Sequence, residues 1–268
     1  MQEGKKQGKI GAHLVSLLLF LAAALGGALN AVAGGGSFLT LPALIVAGVS
    51  PVVANATSTL ALWPASLSST VAYRRELRSS RQWLVVLGVT SVVGGLAGAL
   101  LLVRTSDDAF LRLLPWLMLV AAATFTFGSK LRPKTTTGGV HRFEHGGAWH
   151  PSMIGIVAIQ LVIAAYGGYF GGGMGIMMLA TLALAGMTNI HEMNGLKALL
   201  GVSINGLALL TFVLNGAIQW KYGLTMAAGG ILGGYSTAAF ARKLEPRYIR
   251  IFVIVVGWVM TAYFFVRK

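Results

Sequence analysis

Two runs of this chain repeat each other 137 residues apart. Gly34-Gly35-Gly36-Ser37 opens GGGSFLTLPALIVAGVS, and Gly171-Gly172-Gly173-Met174 opens GGGMGIMMLATLALAGMT. Each is followed by an apolar stretch that carries an Asn near its start, 55–73 in the first case and 194–214 in the second. A Gly-broken segment at matching places in two halves of an apolar chain is the pattern of a membrane carrier whose site lies at the breaks.

The apolar character is extreme enough to set the class. Hydrophobic residues make up 56% of the chain, charged ones 10%, and the mean hydropathy is +0.75. A soluble domain carries about 25% charged residues, so this chain lacks the means to cover itself in water. Its apolar runs are ~20 residues long, the length that crosses ~30 Å of hydrocarbon. Backbone polar groups in lipid need internal partners, which makes the long runs helices. The alternation of a β-barrel is missing. The net charge of +14 does not point to nucleic acid, because Lys and Arg lie between apolar segments and not on one helical face. The chain has no Cys, which excludes disulfides, thiolate metal sites and Cys nucleophiles.

The pattern predicts ten apolar segments, five per half: 12–33, a short 37–48, 52–73, 82–103 and 109–128, then 152–170, a short 174–186, 191–213, 222–241 and 247–266. Residues 1–129 form the first transmembrane repeat and 150–268 the second, with a polar, Thr- and Gly-containing linker at 130–149. Lys5, Lys6 and Lys9 before an apolar run resemble a signal peptide. The run continues to Ala33 and matches 149–170, so it is expected to stay as the first helix.

From Asn55 onward the halves align at one spacing: Asn55 falls on Asn194, Ser58 on Lys197, Ser66 on Asn205, and Gly94-Gly95 on Gly233-Gly234. Loop charges exchange instead of repeating. Arg74, Arg75, Arg78 and Arg81 correspond to the uncharged stretch 213–220, while the loop of Arg104 corresponds to Arg242, Lys243 and Arg247. Cytoplasmic loops carry the excess of Lys and Arg, so the halves are expected to be inverted. Loops 74–81, 130–149 and 242–250 then lie in the cytoplasm with 12 of the 21 basic residues. Both termini are periplasmic on that reading, which places Lys5, Lys6 and Lys9 against the rule.

A half-helix starting at a Gly-rich break offers free N–H groups and a partial positive charge. Two such ends meeting in the membrane would cradle an anion. That makes Gly35, Gly36, Ser37, Gly172 and Gly173 candidate ligand contacts, with the Gly residues admitting the ligand to the backbone. The competing role is close helix packing. A polar stripe follows each break. Asn194, Lys197, Gly201 and Asn205 share one helical face, and Asn55, Ser58, Leu62, Ser66 and Ser69 repeat it. Lys197 is the sole basic residue deep in an apolar segment, and an intramembrane charge marks a functional candidate. Its bland alternative is a pair with Glu192. Asn30, Tyr166 and Tyr169 are weaker candidates. No Asp, Glu or His falls mid-segment and no phosphate-binding loop is present. The sequence therefore predicts no catalytic residue, metal or cofactor.

The runs AGGGSFLTLPALIVAG (33–48), YGGYFGGGMGIMMLA (166–180), NGLKALLGVSINGLALLTF (194–212), the Gly216 to Trp220 spacing and GGILGGYSTAAFARKL (229–244) together resemble the sulfite exporter TauE/SafE family. The resemblance covers nearly the whole chain and implies an inverted-repeat carrier for sulfite, sulfonates or related anions. The expected molecule is an all-α polytopic protein of the bacterial inner membrane, with two inverted repeats and re-entrant short helices. It is expected to move a small inorganic or organic anion by alternating access. The rivals are an anion channel and an intramembrane enzyme. The expected partners are the anion and the lipid bilayer, not nucleic acid, and a homodimer is the assembly left open.

Overall fold

A computed structural model describes residues 2–32, 34–72, 81–128, 151–187, 189–240 and 246–266. The linker 130–149 and the basic loops fall largely outside these residues. The described chain is helical throughout, in the order α1 (Gln2–Val32), α2 (Ser37–Val46), α3 (Pro51–Ala72), α4 (Arg81–Arg104), α5 (Asp107–Phe127), α6 (Pro151–Tyr169), α7 (Met174–Leu184), α8 (Ile190–Leu214), α9 (Trp220–Phe240) and α10 (Pro246–Val266).

These boundaries follow the apolar segments closely. The exception is α1, which begins ten residues before the expected start because Gln, Glu and Lys propagate a helix well in its polar first turns. The windows His13–Asn30, Trp83–Arg104, Asp107–Phe127 and Glu192–Leu214 are long and apolar enough to span a bilayer. By contrast α2 has 10 residues and α7 has 11. At 1.5 Å per residue they cover only ~15–17 Å, half of a ~30 Å core.

Local signals end the helices. Both short ones close with the same motif: Gly48 and Gly186 have φ of 85°. Gly48 N–H donates to Ile45 O at 3.1 Å and Val49 N–H to Leu44 O at 3.0 Å; Gly186 N–H donates to Ala183 O at 3.0 Å and Met187 N–H to Leu182 O at 3.1 Å. Both carbonyl pairs are thereby satisfied in the left-handed manner that favours Gly. At the start of α8, Asn189 Nδ2 donates to Glu192 Oε1 at 3.3 Å, and Glu192 N–H reaches back to Asn189 Oδ1 at 3.5 Å. Glu192 thus has a capping duty of its own. Asp107 reaches across to the start of α3, where its Oδ1 accepts from Val52 N–H at 2.9 Å.

Packing partners exchange between the halves. α1 lies along α9 and α4 along α6; α3 packs on both α9 and α8; α8 packs on α4; α5 packs on α10. With α1–α5 matched to α6–α10, each of these pairs maps onto another pair or onto itself. Small residues make the closest approaches possible. Gly27 faces the backbone of Gly230, and Gly233 faces the Ala24 carbonyl; in the equivalent pair Gly98 faces the Ala165 carbonyl and Gly168 that of Gly95. Phe38, Leu41, Phe110, Phe125 and Phe212 fill one core cluster, and Met174, Met178, Leu196, Leu200 and Ile204 fill the other. Large apolar side chains such as Leu14, Leu17, Leu21, Val85, Val89, Val162, Ile231 and Val255 lie on the outer surface. In water such a surface would be a liability, whereas lipid is its natural solvent.

Candidate functional site

Both breaks open on one cavity of about 180 Å³, far more than the ~15 Å³ that admits a single water. α1 contributes Asn30, the first break Gly34 and Ser37, and α3 Thr59, Leu62 and Ser66. From the second half come Phe170, Gly171, Met174, Gly175 and Met178 around the other break, and Asn194, Lys197, Ala198, Gly201 and Asn205 on α8.

Four of the sequence-derived candidates meet here: Ser37, Asn194, Lys197 and Asn205. Six do not reach the lining. Asn55 is 2% exposed and its Nδ2 donates to the Tyr169 carbonyl at 2.9 Å. Ser58 is equally buried, with its hydroxyl 2.6 Å from Thr40 Oγ1. Gly36 packs against the Gly26 carbonyl, and Gly35 lies beside Val253 and Phe125. Gly172 lies under the Phe170 ring, while Gly173, with φ 80°, abuts Ala121. Only the first glycine of each triplet faces the cavity. Gly34 and Gly171 have φ of 81° and 83°, a conformation nearly closed to other residues. Tyr166 and Tyr169 turn away, donating to the Leu117 carbonyl at 3.0 Å and to Thr105 Oγ1 at 3.4 Å.

The hydrogen-bond inventory of the cavity is uneven. Asn30 Nδ2 donates to Ser66 Oγ at 3.0 Å, Ser66 to the Leu62 carbonyl at 3.3 Å, and Thr59 to the Asn55 carbonyl at 3.1 Å. These groups are already served. Among the described residues, the Ser37 hydroxyl and the Asn194 and Asn205 amides make no hydrogen bond. At the head of α7, Ile176 and Met177 N–H groups turn back to the Gly173 carbonyl at 3.1 and 3.5 Å, while the Met174 and Gly175 N–H groups have no partner among the described residues. The Lys197 stem crosses that same helix end: its Cδ would lie 3.4 Å from a Cβ placed on Gly175. Polar groups withdrawn from bulk water and left without partners cost free energy. A cavity that gathers three half-buried side chains of this kind, two backbone donors without a partner among the described residues and an ammonium stem is therefore built to be filled by a polar ligand or by water. The donors and the helix end favour negative charge.

A family model for the sulfite exporter TauE/SafE proteins matches residues 19–264. The chain belongs to this family. Its curated relatives are named as membrane transporters. One, "Probable membrane transporter protein" of Haemophilus influenzae, is 28% identical over 94% of this chain and 95% of its own length. YfcA of Escherichia coli, also named a probable membrane transporter protein, is 31% identical over 91% of this chain and 87% of its own. A third, ORF9 of a Sinorhizobium species, is 29% identical over 91% and 90%. The resemblance read from the sequence motifs is therefore correct, and the chain is a multi-pass helical member of a transporter family. In each of this chain's two GGG triplets it is the leading glycine that reaches the cavity.

Sequence reasoning gave Asn30 only as a weaker candidate and Ser66 only as part of the stripe, and it did not name Gly34, Thr59, Phe170, Gly171, Met174, Gly175, Met178 or Ala198 as ligand contacts. Two signals were available. Ser66 is the register partner of Asn205, and Asn30 sits one helical turn before Gly34, so both belonged among the candidate ligand contacts.

Proposed function

We propose that this protein is a secondary transporter of the bacterial inner membrane that carries a small anion, inorganic or organic, by alternating access. The observation that supports this most is the convergence on one cavity of Lys197, the Ser37 hydroxyl, the amides of Asn194 and Asn205 and the first N–H groups of α7, the amides and N–H groups having no partner among the described residues. The side chains lining it include no Asp, Glu or His, so the lining presents a cation and neutral polar groups to a ligand and no carboxylate that would repel an anion. The exchanged packing of the two halves supports an inverted repeat, and the exchanged loop charges give its orientation: both termini periplasmic, loops 74–81 and 130–149 cytoplasmic.

Purified protein should be stabilised by its anion in a thermal-shift screen across sulfite, sulfate, thiosulfate, sulfoacetate and small carboxylates. A ligand at 100 times its Kd adds ~2.7 kcal/mol, which no member of a non-binding panel would do. Uptake by proteoliposomes then separates carrier from channel, since a channel would pass voltage-driven current far above carrier turnover in a planar bilayer. Topology has its own test. In intact cells an impermeant thiol reagent should label an Arg78→Cys variant no more than the Cys-free parent and should label a Gly4→Cys variant readily. The reverse pattern refutes the orientation.

A further inference from the structure

Matching residues of the two halves have opposite surroundings. Asn55 and Asn194 hold equivalent positions on α3 and α8, as do Ser58 and Lys197. Asn194 and Lys197 are half-buried and line the cavity. Asn55 and Ser58 are 2% exposed and do not. The Asn55 amide is bonded to the last carbonyl of α6, whereas the Asn194 amide makes no hydrogen bond among the described residues. The N-terminal end of α3 is closed by further ties that cross between helices. Val52 N–H bonds Asp107 at 2.9 Å, Gln219 N–H bonds Thr57 Oγ1 at 3.0 Å, Tyr169 bonds Thr105 at 3.4 Å, and Thr40 meets Ser58 at 2.6 Å.

We propose that the face around Asn55 and Ser58 is a second half of the substrate site, sealed in this structure, and that the Asn55–Tyr169 hydrogen bond holds the seal. In the opposite state Asn194 takes the equivalent bond, to the carbonyl at the C-terminal end of α1, and Asn55 and Ser58 turn to the anion. This rests on the transport reading above and deepens it. The physical basis is the duplication itself. Two halves with the same helix order and exchanged partners have two arrangements of similar energy, each the other with the halves interchanged. Few contacts then decide between them, and a buried amide–carbonyl bond present on one side alone is such a contact. It also explains why the polar stripe occurs in both halves when only one copy faces the cavity now.

The chain has no Cys, so single thiols report cleanly. Ser58→Cys reports the sealed face and Ala198→Cys, on the lining, reports the open one. In permeabilised membranes, where reagent reaches both sides, the Ala198→Cys thiol should react at least tenfold faster than the Ser58→Cys thiol. Adding Asn55→Ala should speed Ser58→Cys labelling about fivefold, the change in an equilibrium set by one hydrogen bond, and should slow labelling of Ala198→Cys. Adding Asn194→Ala should move both rates the other way, because it removes the bond of the alternative state. Should Asn55→Ala not fold, Thr57→Val, which removes the tie to Gln219 N–H that the Ser58→Cys reporter leaves intact, and Asn194→Ala carry the test. A labelling ratio unmoved by these substitutions, or moved in the same direction by Asn55→Ala and Asn194→Ala, overturns the proposal. The readout needs no substrate, so its failure is separable from a failure of the uptake assay.

Discussion

Replacing Lys197 by Met should weaken anion binding by at least ~30-fold, the lower end of the ~2–5 kcal/mol lost when one partner of a buried charge pair is truncated. Met keeps the length of the stem that crosses Gly175 and removes only the charge and its donors. In this setting the charge is worth more than at a surface, because lipid and protein screen far less than water. Lys197→Arg should retain part of the binding: the charge survives, but a planar guanidinium needs space and donors arranged differently from an ammonium. Binding is measured by titration calorimetry with the anion found in the thermal screen, and folding by the melting temperature of each variant. Unchanged affinity in folded Lys197→Met protein would make Lys197 a structural residue and leave the α7 helix end as the source of anion preference. A drop in melting temperature with intact affinity would point the same way.

How far the sequence reached is best seen at the breaks. The segment count, the two short helices and the polar face of α8 were all legible, since each depends on one-dimensional patterns: apolar length, glycine runs and a 3.6-residue period. The lining of the cavity was only half legible. Asn194 and Asn205 were found because they share a face with Lys197. Asn55 and Ser58 share an equivalent face and are nonetheless buried under α6 and α2, because sequence gives the face but not the state in which the two halves are docked. The triplets failed for another reason. Three consecutive glycines look alike in sequence, yet only the first of each triplet lines the cavity, while Gly35, Gly36 and Gly173 meet other helices and Gly172 the Phe170 ring, a division that depends on tertiary contacts. Gly36 is the clearest case: its hydrogen atoms face the Gly26 carbonyl, so Gly36→Ala falls among packing changes. The extra length of α1 was unreadable because its first turns are polar and carry no apolar period.

The glycines therefore fall into two groups, and the groups should fail in opposite ways. Gly168 and Gly98 sit in the α4–α6 contact, where an added Cβ would strike the carbonyls of Gly95 and Ala165. A backbone carbonyl inside a helix has little room to move, so Gly168→Ala and Gly98→Ala should cost more than the ~1–3 kcal/mol typical of overpacking and lower the melting temperature sharply, with loss of folded yield. Gly201 and Gly175 belong to the cavity. A Cβ on Gly201 meets only Met174 Cε at 3.7 Å, and one on Gly175 meets the Lys197 stem at 3.4 Å. Both are helical positions, where Ala is favoured over Gly by up to ~1 kcal/mol, so Gly201→Ala and Gly175→Ala should melt at the parent temperature or slightly above. Transport should nevertheless fall by about tenfold, equivalent to ~1.4 kcal/mol, because each methyl occupies ligand space and the one at 175 also pushes the lysine from the free N–H groups of α7. Uptake and melting temperature measured on the same preparations decide the matter. Normal uptake in both cavity variants would mean that the anion does not lie between α7 and α8. Loss of uptake only in step with loss of fold would return these two glycines to packing and leave the amides of Asn194 and Asn205 to define the site.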